Sequence, residues 1–253
     1  SDPQPVENGV IVPVETVEST DENGKTAAAV TVDADALIRA AETLKQQGSE
    51  TKELIIDVQS DQPVVHVSVP AQALAAAGST LEGAILTVKA GNVHYRLPVD
   101  LIDVNELAGQ WGVPPETIQW TVTIEKITGE DAEAIAAIVE AEGGQVIGDA
   151  YMFRLTATSG DQQLEVSDFG TRYVIRTITL PQTVSDDATV VVVDPETGEM
   201  TFVPALFEHE AGSTTVIIKR TGNSIYTVVQ RNKTFADIQG HWAQADIERL
   251  ASK

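Results

Sequence analysis

Acid–base chemistry, metal binding and sugar binding are the three uses open to the polar residues of this chain, and each demands a particular spacing. Glycoside hydrolysis needs two carboxylates held across a scissile bond. Adjacent carboxylates occur at Asp186-Asp187 and Glu130-Asp131, but in a chain with 38 acidic and 16 basic residues such neighbours read as solvated charge. Serine, histidine and aspartate are all present without the Gly-x-Ser-x-Gly elbow that exposes a hydrolase nucleophile. No catalytic residue is assigned, and the chain is expected not to be an enzyme.

Metal chemistry is equally sparse. Cysteine is absent, which leaves four scattered histidines as the nitrogen ligands. His66 and His94 fall on expected strands where they could face each other across a sheet, and they read as satisfied, partly buried residues. His209, between Glu208 and Glu210, reads as a solvated loop histidine. The acidic stretches Asp57-x-x-x-Asp61 and Asp186-Asp187 carry oxygen ligands of the calcium type but lack the EF-hand spacing. No cofactor is expected, and structural calcium is the one ion these loops admit. Sugar recognition needs aromatic platforms, and aromatic residues make up 5% of the chain. Trp111 and Trp120 are the candidate stacking residues, with Tyr95, Tyr151 and Tyr173 behind them. Trp120 alternates with apolar residues as a core residue would, and Trp111 adjoins Gly112 and Pro114.

Composition bounds the partners. The formal net charge of −22 repels nucleic acid and anionic surfaces, so no nucleic-acid partner is expected. No apolar run approaches the roughly 20 residues that a spanning helix requires, so membrane insertion is not expected. With 253 residues and 42% hydrophobic content, the chain is long enough for two domains with separate cores.

The elements follow from periodicity. Residues 1–24 form a proline-bearing linker with an edge-strand candidate at Gly9 to Pro13. Residues 25–112 read as an α+β domain. A helix runs from Ala36 to Gln47 between Asp33 or Asp35 as N-cap and Gly48 as C-cap. Strands cover Ala27 to Val32, Glu53 to Gln59, Val64 to Val69, Ala84 to Val88 and Val93 to Leu97, and two further short helices are expected, one after Pro70 and one from Val104 to Ala108. The punctuation Gly112-Val-Pro-Pro-Glu116 suggests a boundary. Residues 113–232 then carry one strand from Ile118 to Ile127, one helix from Glu130 to Glu142, and seven short strands between Ala150 and Gln230. That spacing predicts an antiparallel β-sandwich-like domain. The expected fold class is therefore α+β, with this second domain and a C-terminal helix over residues 233–253.

The last stretch carries the most specific pattern, Phe235-x-Asp237-Ile238-x-x-His241-Trp242-Ala243-x-x-x-Ile247-x-x-Leu250. It resembles the opening helix of an S-layer homology module. The resemblance implies secretion by a bacterium, attachment at the cell surface, and anchoring to cell-wall polysaccharide by a helical, three-fold pseudosymmetric unit. The Gly-rich turn and Thr-Arg-Ala-Glu motif that continue the family pattern are not in this sequence, so this stretch alone is not expected to hold glycan. A second, less specific likeness joins Phe169-x-x-x-Tyr173-Val-x-Arg-x-Ile-x-Leu180, Phe202-Val-Pro204 and Thr221-Gly-Asn-Ser-Ile-Tyr226. These strings are similar to the non-catalytic regions that precede such modules in Gram-positive surface proteins. The implied role is an extracellular structural spacer. The alternative is a carbohydrate-binding module of a surface enzyme, whose partner would be a plant or fungal polysaccharide.

Overall fold

The structure, a computed structural model, describes residues 2–22, 24–48, 50, 52–231 and 239–251. The strands are β1 (Gln4–Val6), β2 (Gly9–Ile11), β3 (Thr16–Thr20), β4 (Thr26–Thr31), β5 (Glu53–Val58), β6 (Val64–Pro70), β7 (Ile85–Ala90), β8 (Val93–Pro98) and β9 (Gln119–Lys126). After these come β10 (Gly144–Ser159), β11 (Gln162–Glu165), β12 (Val174–Leu180), β13 (Ala188–Val193), β14 (Met200–Val203), β15 (Ala205–Glu210), β16 (Ser213–Arg220) and β17 (Ile225–Arg231). The helices are α1 (Ala34–Gln47), α2 (Ala71–Thr80), α3 (Val104–Trp111), α4 (Gly129–Ala141) and α5 (Gln244–Ala251). None of these helices is long and apolar enough to cross a membrane.

The expected α+β class is corrected: the chain is mostly β, with 46% of the described residues in strands and 23% in short helices. Two large mixed sheets replace an α+β domain followed by an antiparallel one. Their orders are β1-β2-β5-β7-β8-β12-β16-β15 and β14-β13-β17-β10-β9-β6-β4-β3, with β11 on β10. The physical reason is that successive strands alternate between sheets. Strand β4 pairs in parallel with β6, while β5, lying between them in sequence, pairs in parallel with β7. Parallel neighbours require a crossover. Each crossover here combines a helix with a strand of the other sheet, so α1 and α2 are connections and do not form a layer equal to the sheets.

By contacts the chain divides into two compact units, each built from separated segments. Unit 1 holds Ser1–Glu125, Phe153–Thr177 and Arg220–Asn223; unit 2 holds Lys126–Met152, Ile178–Lys219 and Ser224–Lys253.

In unit 1 the local signals work as expected. The Asp33 carboxylate accepts the Ala36 N–H at 2.9 Å to start α1, and Gly48, at φ 62°, ends it. The apolar stripe of α1, Leu37, Ala40, Ala41 and Leu44, is buried, and α1 packs on α2. Strand β6 buries Val65, Val67 and Val69 and half-exposes His66 and Ser68, the period-two pattern of a strand. Gly9 permits the close approach of β2 to β5, because a Cβ there would lie 2.3 Å from the Glu53 carbonyl oxygen.

In unit 2 the Val-rich β13 lies between β14 and β17. Its Val191 and Val193 join Ile127, Ile135, Val139, Ala150 and Val229 in one core under α4. Strand β10 carries an irregularity between Ile147 and Tyr151, where it pairs with β17. Gly148 sits in that bulge at φ 74°, a backbone region that disfavours other residues.

Candidate functional site

The described part of the terminal motif begins at Gln239, and Gly240, at φ 78°, turns the chain into α5. The Gly240 N–H donates to the Gln244 side-chain oxygen at 2.8 Å, and the Ala243 N–H donates to His241 Nδ1 at 3.2 Å. The second contact occupies the N–H just before the first residue of α5, and the first ties the preceding turn to that residue. Because Nδ1 accepts, the neutral ring carries its hydrogen on Nε2. The imidazole lies 5.6 Å from the Trp242 ring, centroid to centroid. The side chains that the motif marks as apolar are left in solvent: Trp242 is 90% exposed, Leu250 73% and Ile247 38%. Ala243 is half-buried. Phe235, Asp237 and Ile238 lie outside the described residues.

The two tryptophans read as sugar platforms differ in burial. Trp120, on β9, is 1% exposed, and its Nε1 is buried without a hydrogen-bond partner. A ring in that position is core and has no face to offer a sugar. Trp111 ends α3 beside Gly112, at φ 67°, and is half-buried.

His66 and His94 do not face each other across a sheet. His66, on β6, lies opposite Thr123 of β9, with Nδ1 at 2.9 Å from the Thr123 hydroxyl. Burial holds its pKa below the ordinary value, and the nearby Asp21 and Glu125 offset part of that effect. His94 is on β8, in the other sheet, opposite Lys89. Burial, then Lys89 and Arg96, lowers its pKa to about 4. Protonation below the ordinary histidine pKa of 6.5 thus favours the unfolded chain. Stability from this group is complete above pH 6.5 and is lost as pH falls toward 4. After allowance for solvent screening, the loss is on the order of 2 kcal/mol. Denaturant unfolding of wild type and His94→Gln between these pH values is expected to show a shallower acid decline in the variant. Equal declines would remove His94 as the cause.

Strand β15 contains His209, so this residue does not sit in a loop. Glu130 and Asp131 are exposed in the first turn of α4, where negative charge suits the helix dipole. Asp186 is exposed and Asp187 half-buried. Among the described residues, no three His, Asp or Glu side chains converge in a way that would hold a metal ion.

The densest polar constellation, in unit 1, was not singled out by sequence reasoning as a site. Arg176 of β12 is fully buried. Its Nη2 donates to the Gly222 carbonyl and, at 2.7 Å, to Asn223 Oδ1. Its Cζ lies 5.3 Å from the Tyr95 ring centroid and 5.5 Å from that of Phe153, two cation–π contacts to a pair of rings that themselves meet edge to face at 5.1 Å. The Tyr95 hydroxyl also donates to Asn223 Oδ1. The Asn223 side chain donates to the Val166 carbonyl at 3.1 Å, and its main-chain N–H donates to the Ser167 carbonyl at 2.9 Å. A signal existed: Arg176 and Asn223 both lie in the quoted strings Phe169 to Leu180 and Thr221 to Tyr226. What these strings encode is a clamp joining two turns to β8, β10 and β12. We assign it no bond-making chemistry: Arg176 Nη2 is committed to the Gly222 carbonyl and to Asn223 Oδ1, and Asn223 in turn holds the neighbouring turn.

Comparison of the chain with protein-family models and with curated proteins finds no match.

Proposed function

We propose that this chain is a non-catalytic spacer of a secreted bacterial cell-surface protein, standing directly before S-layer homology modules that attach the protein to cell-wall polysaccharide. The observation that carries this reading is α5. Its residues follow the spacing of the module's opening helix, yet Trp242 and Leu250 are turned to solvent. An isolated amphipathic helix of this length gains most of its stability from burying such a face. A helix that exposes its apolar residues is suited to begin a further folded body. The mixed sheets, and the enclosed Arg176 clamp of unit 1, suit a structural load.

The carbohydrate-binding alternative is weakened by the burial of Trp120, which removes one of its two platforms. Titration against xylan, chitin and β-glucan, together with a glycan array, tests the choice. The spacer reading expects no saturable binding and no hydrolysis. Binding that is lost in Trp111→Ala while the fold persists would overturn it in favour of the carbohydrate-binding module.

A further inference from the structure

Strand β15 ends its sheet: among the described strands it pairs with β16 alone. An end strand presents a row of N–H and C=O groups that a further strand can join. Side chains of β15 alternate between two faces. One face, Ala205, Phe207 and His209, lines a cleft of about 620 Å³ within unit 2, which Asp186, Thr189 and Arg249 also line. That volume falls in the range of pre-formed binding clefts, roughly 300 to 1,000 Å³. On the other face Leu206 is 58% exposed, and Glu208 and Glu210 are exposed as well.

The cleft wall is fixed by a relay of hydrogen bonds. The Thr214 hydroxyl donates to the Gln182 carbonyl at 3.0 Å and accepts the Val184 N–H at 3.1 Å. With its hydrogen committed, Thr214 Oγ1 is an acceptor for His209 Nδ1 at 3.2 Å, so that nitrogen donates and the ring is held against β16. The acids Asp186, Glu208 and Glu210 surround the strand, and the one Lys or Arg lining the cleft is Arg249. A second copy of the chain is a poor occupant, since it would bring the same acids edge to edge on two bodies that each carry a formal charge of −22.

We propose that the outer edge of β15 docks an extended basic segment of another protein, added as a strand. Main-chain hydrogen bonds to the edge supply affinity, an apolar side chain covers Phe207 on the cleft face, and Lys or Arg side chains on the opposite face meet Glu208 and Glu210. This docking does not depend on the spacer reading.

The test uses the whole chain, isotope-labelled, titrated with three blocked hexapeptides while its amide spectrum is followed. The peptides are Lys-Val-Thr-Val-Lys-Val, its twin with Glu for Lys, and Lys-Val-Pro-Pro-Lys-Val, which cannot complete a ladder. Saturable shifts centred on residues 205–210 are expected with the first, binding at least about tenfold weaker with the acidic twin, and none with the proline peptide. The exposed-site variant Glu208→Lys/Glu210→Lys should weaken the basic peptide at least about tenfold. If that variant alters the fold, raising salt on the wild type must weaken binding instead. The proposal is overturned by any of three results. One is the absence of shifts up to about 5 mM peptide, far weaker than a specific contact. Another is equal binding of the proline peptide. The third is concentration-dependent self-association through β15. With no binding, the acids would stand as guards against edge-to-edge aggregation.

Discussion

Replacing Asn223 by alanine is expected to lower the stability of the fold by about 3 to 4 kcal/mol, the cost of removing several buried hydrogen bonds, one of them to a charged group. The change takes an acceptor from the enclosed Arg176 guanidinium and from the Tyr95 hydroxyl, and a donor from the Val166 carbonyl. In a chain of this size the melting midpoint should fall by roughly 10 °C. Arg176→Met keeps an apolar chain beside Tyr95 and Phe153 but strips the donors from Gly222 and Asn223, and about 2 to 3 kcal/mol is expected for leaving those acceptors without their donor. The double variant should lose less than the sum of the two, because each single change spoils the same bonds. A double-mutant cycle in urea measures this, and a coupling of about 1.5 to 3 kcal/mol is expected. Strict additivity would mean that Arg176 and Asn223 do not act as one clamp. Tyr95→Phe removes a single hydroxyl contact and should cost about 1 kcal/mol.

The second large effect concerns Trp120. Trp120→Ala should cost about 3 to 5 kcal/mol through the cavity it leaves. Trp120→Phe should cost clearly less, because the indole N–H satisfies no hydrogen bond that the change would break. Fluorescence quenching in the wild type provides a second readout, since iodide should reach the 90% exposed Trp242 and be excluded from the 1% exposed Trp120. If Trp120→Ala left the unfolding midpoint unchanged, the ring could not be core, and its use as a sugar platform would return.

Local structure was legible where local chemistry decides it. Asp33 and Gly48 frame α1 because a capping carboxylate and a left-handed glycine act within one turn. The alternation in Val64 to Val69 likewise marks β6. Pairing was not legible. Nothing in Glu53 to Val58 says that its neighbours are β2 and β7, both parallel, when the next strand in sequence belongs to the other sheet. The expectation of an α+β domain followed by an antiparallel one came from taking successive strands as neighbours. Strand β15 escaped because Glu208, His209 and Glu210 in succession look like a solvated loop, although one face of the strand is enough to hold it on β16.

The candidate sites show the same limit. Arginine reads as surface, and Arg176 is tolerated inside only because Asn223, far along the chain, and two aromatic faces meet it there. Trp120 was readable as core from its alternation with Ile118, Val122 and Ile124, all of them buried. The terminal motif was legible as spacing, and its apolar residues could be listed as one stripe. Their exposure could not be foreseen, since periodicity marks which residues share a face and is silent about what covers that face.

The most direct test of the spacer reading is the location of the native protein in the organism that makes it. An antibody raised against this chain should label intact, unpermeabilised cells, and the antigen should sediment with the cell-wall fraction. Labelling that appears only after the cells are permeabilised would contradict it.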